Sequence, residues 1–169
     1  MRAIFLLPLL CLAAPAWAQT PPGPAPAAPA PAPQLSYGEA VSLPDARRIA
    51  DAAEAEARRR GFSMAFAIVD PSGSLILFHK MDGTQNGSVE VAIQKARTSA
   101  LFRRPTKFFS DAVAGGRNTV LSLPNMIAIE GGVPIEIGGR VAGAIGVSGA
   151  SSAEDGEVAA VGLAALRRR

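Results

Sequence analysis

The chain has 169 residues, 49% of them hydrophobic and 18% charged, which is typical of one globular domain with a hydrophobic core. The net charge is +3, and the basic residues occur as short arginine clusters without neighbouring aromatic residues. This pattern does not favour nucleic-acid binding. Cys11 is the single cysteine, so the rest of the chain has no thiolate, either as a metal ligand or as a nucleophile.

The first part of the chain lacks the pattern of a folded domain. Arg2 is followed by an apolar stretch over residues 4–14 and by the motif Ala16-Trp17-Ala18, which together predict a secretory signal peptide over residues 1–18. Residues 19–34 are rich in alanine and proline and are expected to form an extended linker. The domain then covers residues 35–169, and we expect the protein in the periplasm or outside the cell.

The first half of the domain predicts one helix and one hairpin. A helix is expected between Ser42 and Gly61, because a serine precedes a first-turn proline and apolar residues follow at helical spacing. Its inward-facing residues are Ala46, Ile49, Ala50, Ala53 and Ala57. Two apolar runs over residues 64–70 and 74–81 flank a Pro-Ser-Gly turn and predict two paired strands.

The second half continues with helices and strands. Ser88 is expected to cap a helix, and residues 106–113 to form a short one. The inward stripe of the helix after Ser88 is Val89, Ile93, Ala96 and Ala100. Strands are predicted over residues 126–130, 133–137 and 140–148, followed by a helix that Ser151 and Glu154 cap. The inward residues of this last helix are Val158, Val161 and Ala165.

This order predicts an α/β domain around a five-stranded, mainly antiparallel sheet flanked by helices. Gly143, Gly146 and Gly149 recur at every third position, so they cannot share one face of a strand. Glycine at such positions favours close approach, either of another backbone or of a flat ligand. The phosphate-binding motifs G-x-x-x-x-G-K and G-x-G-x-x-G are absent, which leaves a nucleotide site unsupported.

Three stretches resemble a known family: "AFAIVDPSGSLILFHKMDG", "AIQKARTSALFRRPT" and "EGGVPIEIGGRVAGAIGVSGASSAED". They look like the GlcG/HbpS family of small haem-binding proteins, which is related to the C-terminal domain of PduO-type corrinoid adenosyltransferases. The resemblance covers most of residues 35–166. It implies a profilin-like α-β-α sandwich, assembly as a dimer or up to an octamer, and binding of haem or a related tetrapyrrole.

Haem needs a flat apolar slot, cations for its propionates and axial donors for its iron. Strand alternation places Leu75, Leu77, His79 and Met81 on one face of the second strand. His79 is the candidate metal ligand, although a half-exposed strand histidine bonded to a neighbouring loop is the alternative. With the resemblance, the candidate cofactor-binding residues are His79, Lys80, Met81, Lys95, Thr98 and Arg103.

Two departures from the family pattern bear on this site. The family usually has Arg-Met-Asp-Gly where this chain has Lys80-Met81-Asp82-Gly83, which keeps the charge and loses the bidentate guanidinium. Some ligand-binding relatives have a histidine late in the first helix, where this chain has Glu56.

The sequence therefore favours a secreted or periplasmic, non-catalytic haem-binding protein that sequesters, transports or senses haem. An enzyme acting on a small carboxylate or oxidised metabolite is the alternative, with Lys95, Asp82 and Glu130 as its candidate residues. A third alternative is a secreted module whose oligomeric surface docks to a membrane sensor or transporter.

Overall fold

The computed structural model describes residues 35–166, so the predicted signal peptide and the whole of the predicted linker lie outside the described residues. Residues 35–166 belong to one compact unit. The elements, in chain order, are β1 (Ser36–Tyr37), α1 (Leu43–Arg60), β2 (Ala65–Val69), β3 (Leu75–Lys80), α2 (Gly87–Phe102), α3 (Lys107–Ala114), a 3-10 turn (Asn118–Ser122), β4 (Gly132–Ile137), β5 (Arg140–Ser148) and α4 (Ser152–Ala164).

The fold is a three-layer α-β-α sandwich, as the family resemblance implied. The sheet order is β4-β5-β2-β3, and the short strand β1 pairs with the start of β5. The sheet is mixed, because β1 and β5 are parallel while the other pairs are antiparallel. Helices α1 and α4 cover one face, and α2 covers the other. None of the helices in residues 35–166 has the length and hydrophobicity needed to cross a bilayer.

Helix α1 confirms its predicted boundaries and its buried stripe. The Ser42 hydroxyl accepts a hydrogen bond from the Asp45 N–H, and Gly61 ends the helix in the left-handed conformation. Its buried residues are Ala46, Ile49, Ala50, Ala53 and Ala57. Because this stripe is nearly all alanine, α1 packs closely on α4, where a Cβ on Gly162 would lie 2.8 Å from the Ile49 carbonyl oxygen.

One predicted strand is wrong, and another element supplies the fifth strand. Residues 126–130 form no strand; the Ile127 N–H donates to the Thr98 hydroxyl of α2 at 2.9 Å. An apolar run of five residues does not by itself distinguish a strand from an extended segment packed on a helix. The fifth strand is β1, whose two residues are too few to show a periodicity.

The predicted start of α2 and the predicted inner face of α4 also differ from the structure. Ser88 lies inside α2, which begins at Gly87, and its hydroxyl contacts the Ser148 hydroxyl at 3.2 Å. In α4, Val161 is 39% exposed, since the buried side is centred on Val158 and Gly162. The close packing of the Gly162 backbone on α1 determines which side of α4 is buried. The hydrophobicity of the residues alone does not predict this side.

A β-bulge changes the predicted alternation along β3. Ile68 pairs with Leu77 while Val69 pairs with Leu75, so Ile76 is the extra residue. Leu77 and His79 keep the predicted face, toward α1. Leu75 shares the opposite face with Val69, because directly paired residues of a sheet point to the same side.

The glycines of β4 and β5 accommodate neighbouring backbone. A Cβ on Gly146 would lie 2.1 Å from the Ala92 carbonyl oxygen, and one on Gly132 would lie 2.3 Å from the Lys95 carbonyl oxygen. Helix α2 therefore rests directly on the sheet at these two positions. Of the two explanations that the sequence left open, close approach of backbone accounts for Gly146.

We expect Gly146→Ala to destabilise the fold by about 1–3 kcal/mol, because the added methyl group must push α2 off the sheet. Gly87→Ala is the matched control, since a Cβ there meets nothing within 4 Å, and it should change stability by less than about 1 kcal/mol. Urea unfolding of both variants measures the difference. Equal midpoints for the two variants would contradict this packing argument.

Candidate functional site

His79 lies on the edge strand β3 and contacts helix α1. Its Nδ1 is 3.1 Å from a carboxylate oxygen of Glu54, and its side chain is 30% exposed. The other Glu54 oxygen accepts a hydrogen bond from Arg58, one helical turn later. The sequence left open a half-exposed histidine bonded to a neighbouring loop. In the structure His79 is half-exposed, and its partner lies on a helix.

The Glu54 carboxylate determines which nitrogen of His79 is available. The hydrogen bond from Arg58 lowers the pKa of Glu54 below its ordinary value, and the hydrogen bond to His79 acts in the same direction against the opposing effect of partial burial. An ionised Glu54 accepts a hydrogen bond from Nδ1–H, and the neutral tautomer that carries this N–H has its lone pair on Nε2. No residue in the range 35–166 forms a hydrogen bond with Nε2. A carboxylate behind the imidazole is also the usual support for a histidine that ligates a metal.

The surface next to His79 is shallow. Asp51, Glu54, Ala55 and Arg58 line a depression of about 210 Å³ on the outer side of α1. Ile76 and Leu77 are half-buried on β3 and supply apolar surface on the same side of the sheet. The depression can admit part of a flat ligand and cannot enclose a macrocycle, because ligand sites usually measure about 300–1,000 Å³.

Met81 and Lys80 flank His79 along the chain and point in different directions. The Met81 sulfur accepts a hydrogen bond from the Met64 N–H at 3.4 Å, and its side chain packs on the core beneath α1. Lys80 is exposed and donates to the side chain of Asn86, just before α2, at 3.1 Å. The Met81 sulfur is therefore engaged inside the domain, whereas the Lys80 ammonium lies toward the α2 side of the sheet.

Lys95 is a buried structural cation. Its ammonium donates to Asp155 at 2.7 Å and to the Val147 carbonyl oxygen at 3.0 Å, and the two side chains of the ion pair are 1% and 3% exposed. The second Asp155 oxygen accepts the Ala150 N–H at 3.0 Å. Burial lowers the pKa of Lys95 and raises that of Asp155, and their mutual hydrogen bond opposes both shifts. The pair joins α2 to the first turn of α4.

Thr98 and Arg103 have structural partners in the C-terminal half of α2. The buried Thr98 hydroxyl accepts the Ile127 N–H and holds the segment before β4. Arg103 ends α2 in the left-handed conformation, donates to the Leu35 carbonyl oxygen at 2.8 Å, and lies 4.9 Å from the centre of the Tyr37 ring. Arg103 therefore anchors the start of the domain.

The six residues selected from the sequence do not form one pocket. His79 and Met81 lie on the α1 side of the sheet, while Lys80 lies on the α2 side. Lys95 is enclosed between α2, β5 and α4. No group of three or more His, Cys, Asp or Glu side chains within residues 35–166 is arranged to hold a metal ion.

Glu54 is the functional candidate that the sequence interpretation missed. The spacing of Glu54 and Arg58 is typical of an ion pair on a helix surface, which is a common and uninformative pattern. Only the packing of α1 beside β3 shows that this carboxylate also contacts His79. Glu56, at the position of the relatives' histidine, is held instead by Arg59 and Arg60, whose hydrogen bonds lower its pKa to about 2.

We expect Lys95→Met to destabilise the protein by about 3–5 kcal/mol, because it leaves the Asp155 carboxylate buried without its cation. Lys95→Met/Asp155→Asn should recover part of this loss, since a neutral amide still accepts the Ala150 N–H. Lys107→Met is the control: it breaks the exposed pair with Asp111 and should cost no more than about 1 kcal/mol. Denaturant unfolding compares all three variants. A double variant less stable than Lys95→Met would contradict the argument.

The lowered pKa of Glu54 predicts a pH dependence of stability. A carboxyl group with a lower pKa in the folded state than in the unfolded state stabilises the fold above its unfolded pKa of about 4.5. That contribution disappears as the pH falls below this value. Unfolding at pH 6 and pH 3.5 should therefore show a smaller acid-induced loss for Glu54→Gln than for the unaltered protein. Glu39→Gln, at an exposed carboxylate of the loop before α1, should behave like the unaltered protein.

Comparison with known proteins places this geometry in a family. Residues 41–164 match the family described as haem degrading protein HbpS-like. GlcG of Escherichia coli strain K12 is 36% identical over 108 residues, which cover 64% of this chain and 81% of GlcG.

Two solved structures show the same fold. A double mutant of HbpS from Streptomyces reticuli is 29% identical with a TM-score of 0.71, and the match covers 86% of this chain and 99% of HbpS. PduOC in complex with haem is 27% identical with a TM-score of 0.68, covering 75% of this chain and 94% of PduOC. On these grounds the chain belongs to the HbpS-like family.

Proposed function

We propose that this protein binds haem and that His79 provides an axial donor through Nε2. The observation that carries the proposal is the Glu54–His79 contact, which orients the imidazole through Nδ1 and leaves Nε2 without a partner among residues 35–166 at a half-exposed edge. Haem binding is also supported by PduOC, a relative whose solved structure is a complex with haem. Haem, when bound, supplies an iron centre for ligand exchange or redox chemistry.

The residues beside His79 fit part of a haem site. Ile76 and Leu77 offer apolar contact for the ring, and the exposed Arg58 guanidinium can pair with a propionate at the rim. Lys80 lies on the other side of the sheet, and Lys95 is bonded to Asp155. The structure therefore favours Arg58 over both lysines as the propionate partner near His79.

The non-catalytic function remains the proposal for this chain, in preference to the metabolite enzyme. Of the three residues considered for that enzyme, Lys95 is buried in an ion pair and Glu130 lies 4.0 Å from Lys107. No hydrogen bond or ion pair joins Asp82 to either of them within the described part of the chain. Binding is also the step that sequestration, transport and sensing of haem have in common, including delivery to a membrane sensor or transporter.

Hemin titration tests the proposal. The unaltered protein, purified without tag histidines, should take up one equivalent of hemin with a shifted Soret band. His79→Ala should move the Soret maximum and weaken binding at least tenfold, or about 1.4 kcal/mol, because the iron loses its donor. Glu54→Gln should weaken binding less, since it removes the support of the imidazole and keeps the ligand.

Lys80→Ala is the matched control for this titration. It changes the residue next to His79 on the opposite side of the sheet and should leave the Soret maximum in place. Absence of saturable hemin uptake by the unaltered protein would overturn the function. An identical spectrum for His79→Ala would overturn the ligand assignment alone.

The proposal includes export to the periplasm or the cell exterior. It rests on the sequence of residues 1–18, whose signal-peptide pattern ends in Ala16-Trp17-Ala18. Cleavage after Ala18 should make Gln19 the first residue of the secreted protein. N-terminal sequencing of protein from the periplasmic and culture fractions measures this, and a secreted form that begins at Met1 would contradict it.

A further inference from the structure

A second depression lies on the α2 side of the sheet, next to the turn that joins β2 to β3. Its volume is about 230 Å³, and we call it the turn pocket. The turn precedes β3 whereas His79 lies near the end of that strand, so the turn pocket is separate from the region around His79. The residues that line it are Ser72, Gly73, Gln94, Arg97, Leu101 and Asn125.

The turn itself is held by hydrogen bonds within it. One Asp70 carboxylate oxygen accepts the Ser72 N–H at 2.8 Å, the Ser72 hydroxyl at 2.7 Å and the Ser74 N–H at 2.9 Å. The Gly73 N–H donates to the Asp70 carbonyl oxygen at 3.0 Å, and Gly73 has a φ of +85°. Asp70 is therefore bonded inside the turn, and this wall of the pocket is formed before any ligand arrives.

The opposite wall is the extended segment before β4. Its Ile127 N–H donates to the Thr98 hydroxyl at 2.9 Å, which holds the segment on α2. Two residues earlier, Asn125 has a φ of 55°, in the left-handed region that asparagine adopts more readily than most residues. Asn125 is exposed, and its side-chain amide forms no hydrogen bond with any residue in the range 35–166. The amide is therefore available at the rim of the pocket.

Arg97 gives the turn pocket its charge, since none of the other five lining residues is ionisable. Its Nε donates to the Gly73 carbonyl oxygen at 3.2 Å, which holds the half-buried side chain against the turn. Among the described residues, Arg97 forms no ion pair and no other hydrogen bond. The N–H groups of Nη1 and Nη2 thus remain available. Paired guanidinium N–H groups match the two oxygens of a carboxylate.

The surroundings of Arg97 favour a small anion with an apolar part. The nearest acid along α2, Glu90, accepts a hydrogen bond from the Gln94 amide at 2.8 Å. The half-buried Leu101 lies one turn beyond Arg97 and supplies an apolar wall. Sites for drug-sized ligands usually measure about 300–1,000 Å³, so a pocket below this range suits a molecule of a few carbon atoms.

We propose that the turn pocket binds a small organic acid. The carboxylate pairs with the Nη groups of Arg97 and accepts a hydrogen bond from the Asn125 amide, and the carbon chain contacts Leu101. This site goes beyond haem binding and does not rest on it. The two sites lie on opposite faces of the sheet, so loss of one leaves the other in place.

Propionate is the probe that tests the site, in protein without hemin and at constant ionic strength. Isothermal titration calorimetry should show one saturable site per chain with a Kd of about 1 mM or tighter. Arg97→Met should weaken binding at least tenfold, and Arg97→Lys should also weaken it, because lysine keeps the charge and loses the paired donors. Arg47→Met is the matched control, since it removes an exposed arginine of α1.

A propionate titration without saturation would overturn the site. An Arg97→Met variant that binds as well as Arg47→Met would overturn it too. Inorganic phosphate that binds more tightly than propionate would overturn the carboxylate assignment. Propylamine, which has the same carbon chain and a positive charge, should not bind.

A charge at the pocket rim gives a second test that does not alter Arg97. Asn125→Asp keeps the size of the side chain and tolerates the left-handed backbone, and its carboxylate should repel propionate and weaken binding at least tenfold. Asn118→Asp is the matched control, because it adds the same charge at an exposed position of the 3-10 turn. Equal affinities for these two variants would contradict the proposal. Circular dichroism confirms that each variant is folded, and the Asn125→Asp result decides the question if Arg97→Met is not.

Discussion

The backbone of α2 lies in direct contact with the sheet, and the positions of Lys95 and α4 follow from this contact. At Gly132 and Gly146, helix carbonyl groups occupy the space that a Cβ would take. Helix α2 therefore lies closer to the sheet than side chains would allow, and this depth determines where Lys95 can reach. Its ammonium donates hydrogen bonds to the Val147 carbonyl oxygen and to Asp155 in α4. Close packing on one face thus leads to an ionic link with a helix on the other.

The buried ion pair links α4 to α2. Burial shifts the pKa values of Lys95 and Asp155 toward the neutral forms, so each charge depends on the other to remain in the interior. The first turn of α4 must therefore lie where Asp155 meets the lysine. On the opposite side of the sheet, near the β3 edge, His79 Nε2 has no hydrogen-bond partner among residues 35–166.

His79 and Glu54 lie beside the depression on the outer side of α1. The imidazole is oriented by Glu54, which is itself bonded to Arg58. The depression is shallow, so a flat ligand there would be covered on one side only.

Local patterns determined most of the helices and strands. The stripe of α1, the hairpin of β2 and β3, and the capping box at Ser151 and Glu154 follow from spacing and cap chemistry within about one turn of chain. The three-layer architecture was also accessible, through the element order and the family resemblance. The caps, the stripe and the hairpin depend on residues that are close together in the sequence, so the sequence alone predicts them.

The tertiary structure alone decided the partners of the candidate site. The sequence selected His79, yet its orienting carboxylate is 25 residues away on another element. Lys95 and Arg103 looked like cations available for a ligand, but long-range packing commits them to Asp155 and to the Leu35 carbonyl. The bulge at Ile76 and the extended segment over residues 126–130 also depend on partners distant in the chain. Residue type and spacing determine what a side chain can bind, and only the packing of distant segments determines what it does bind.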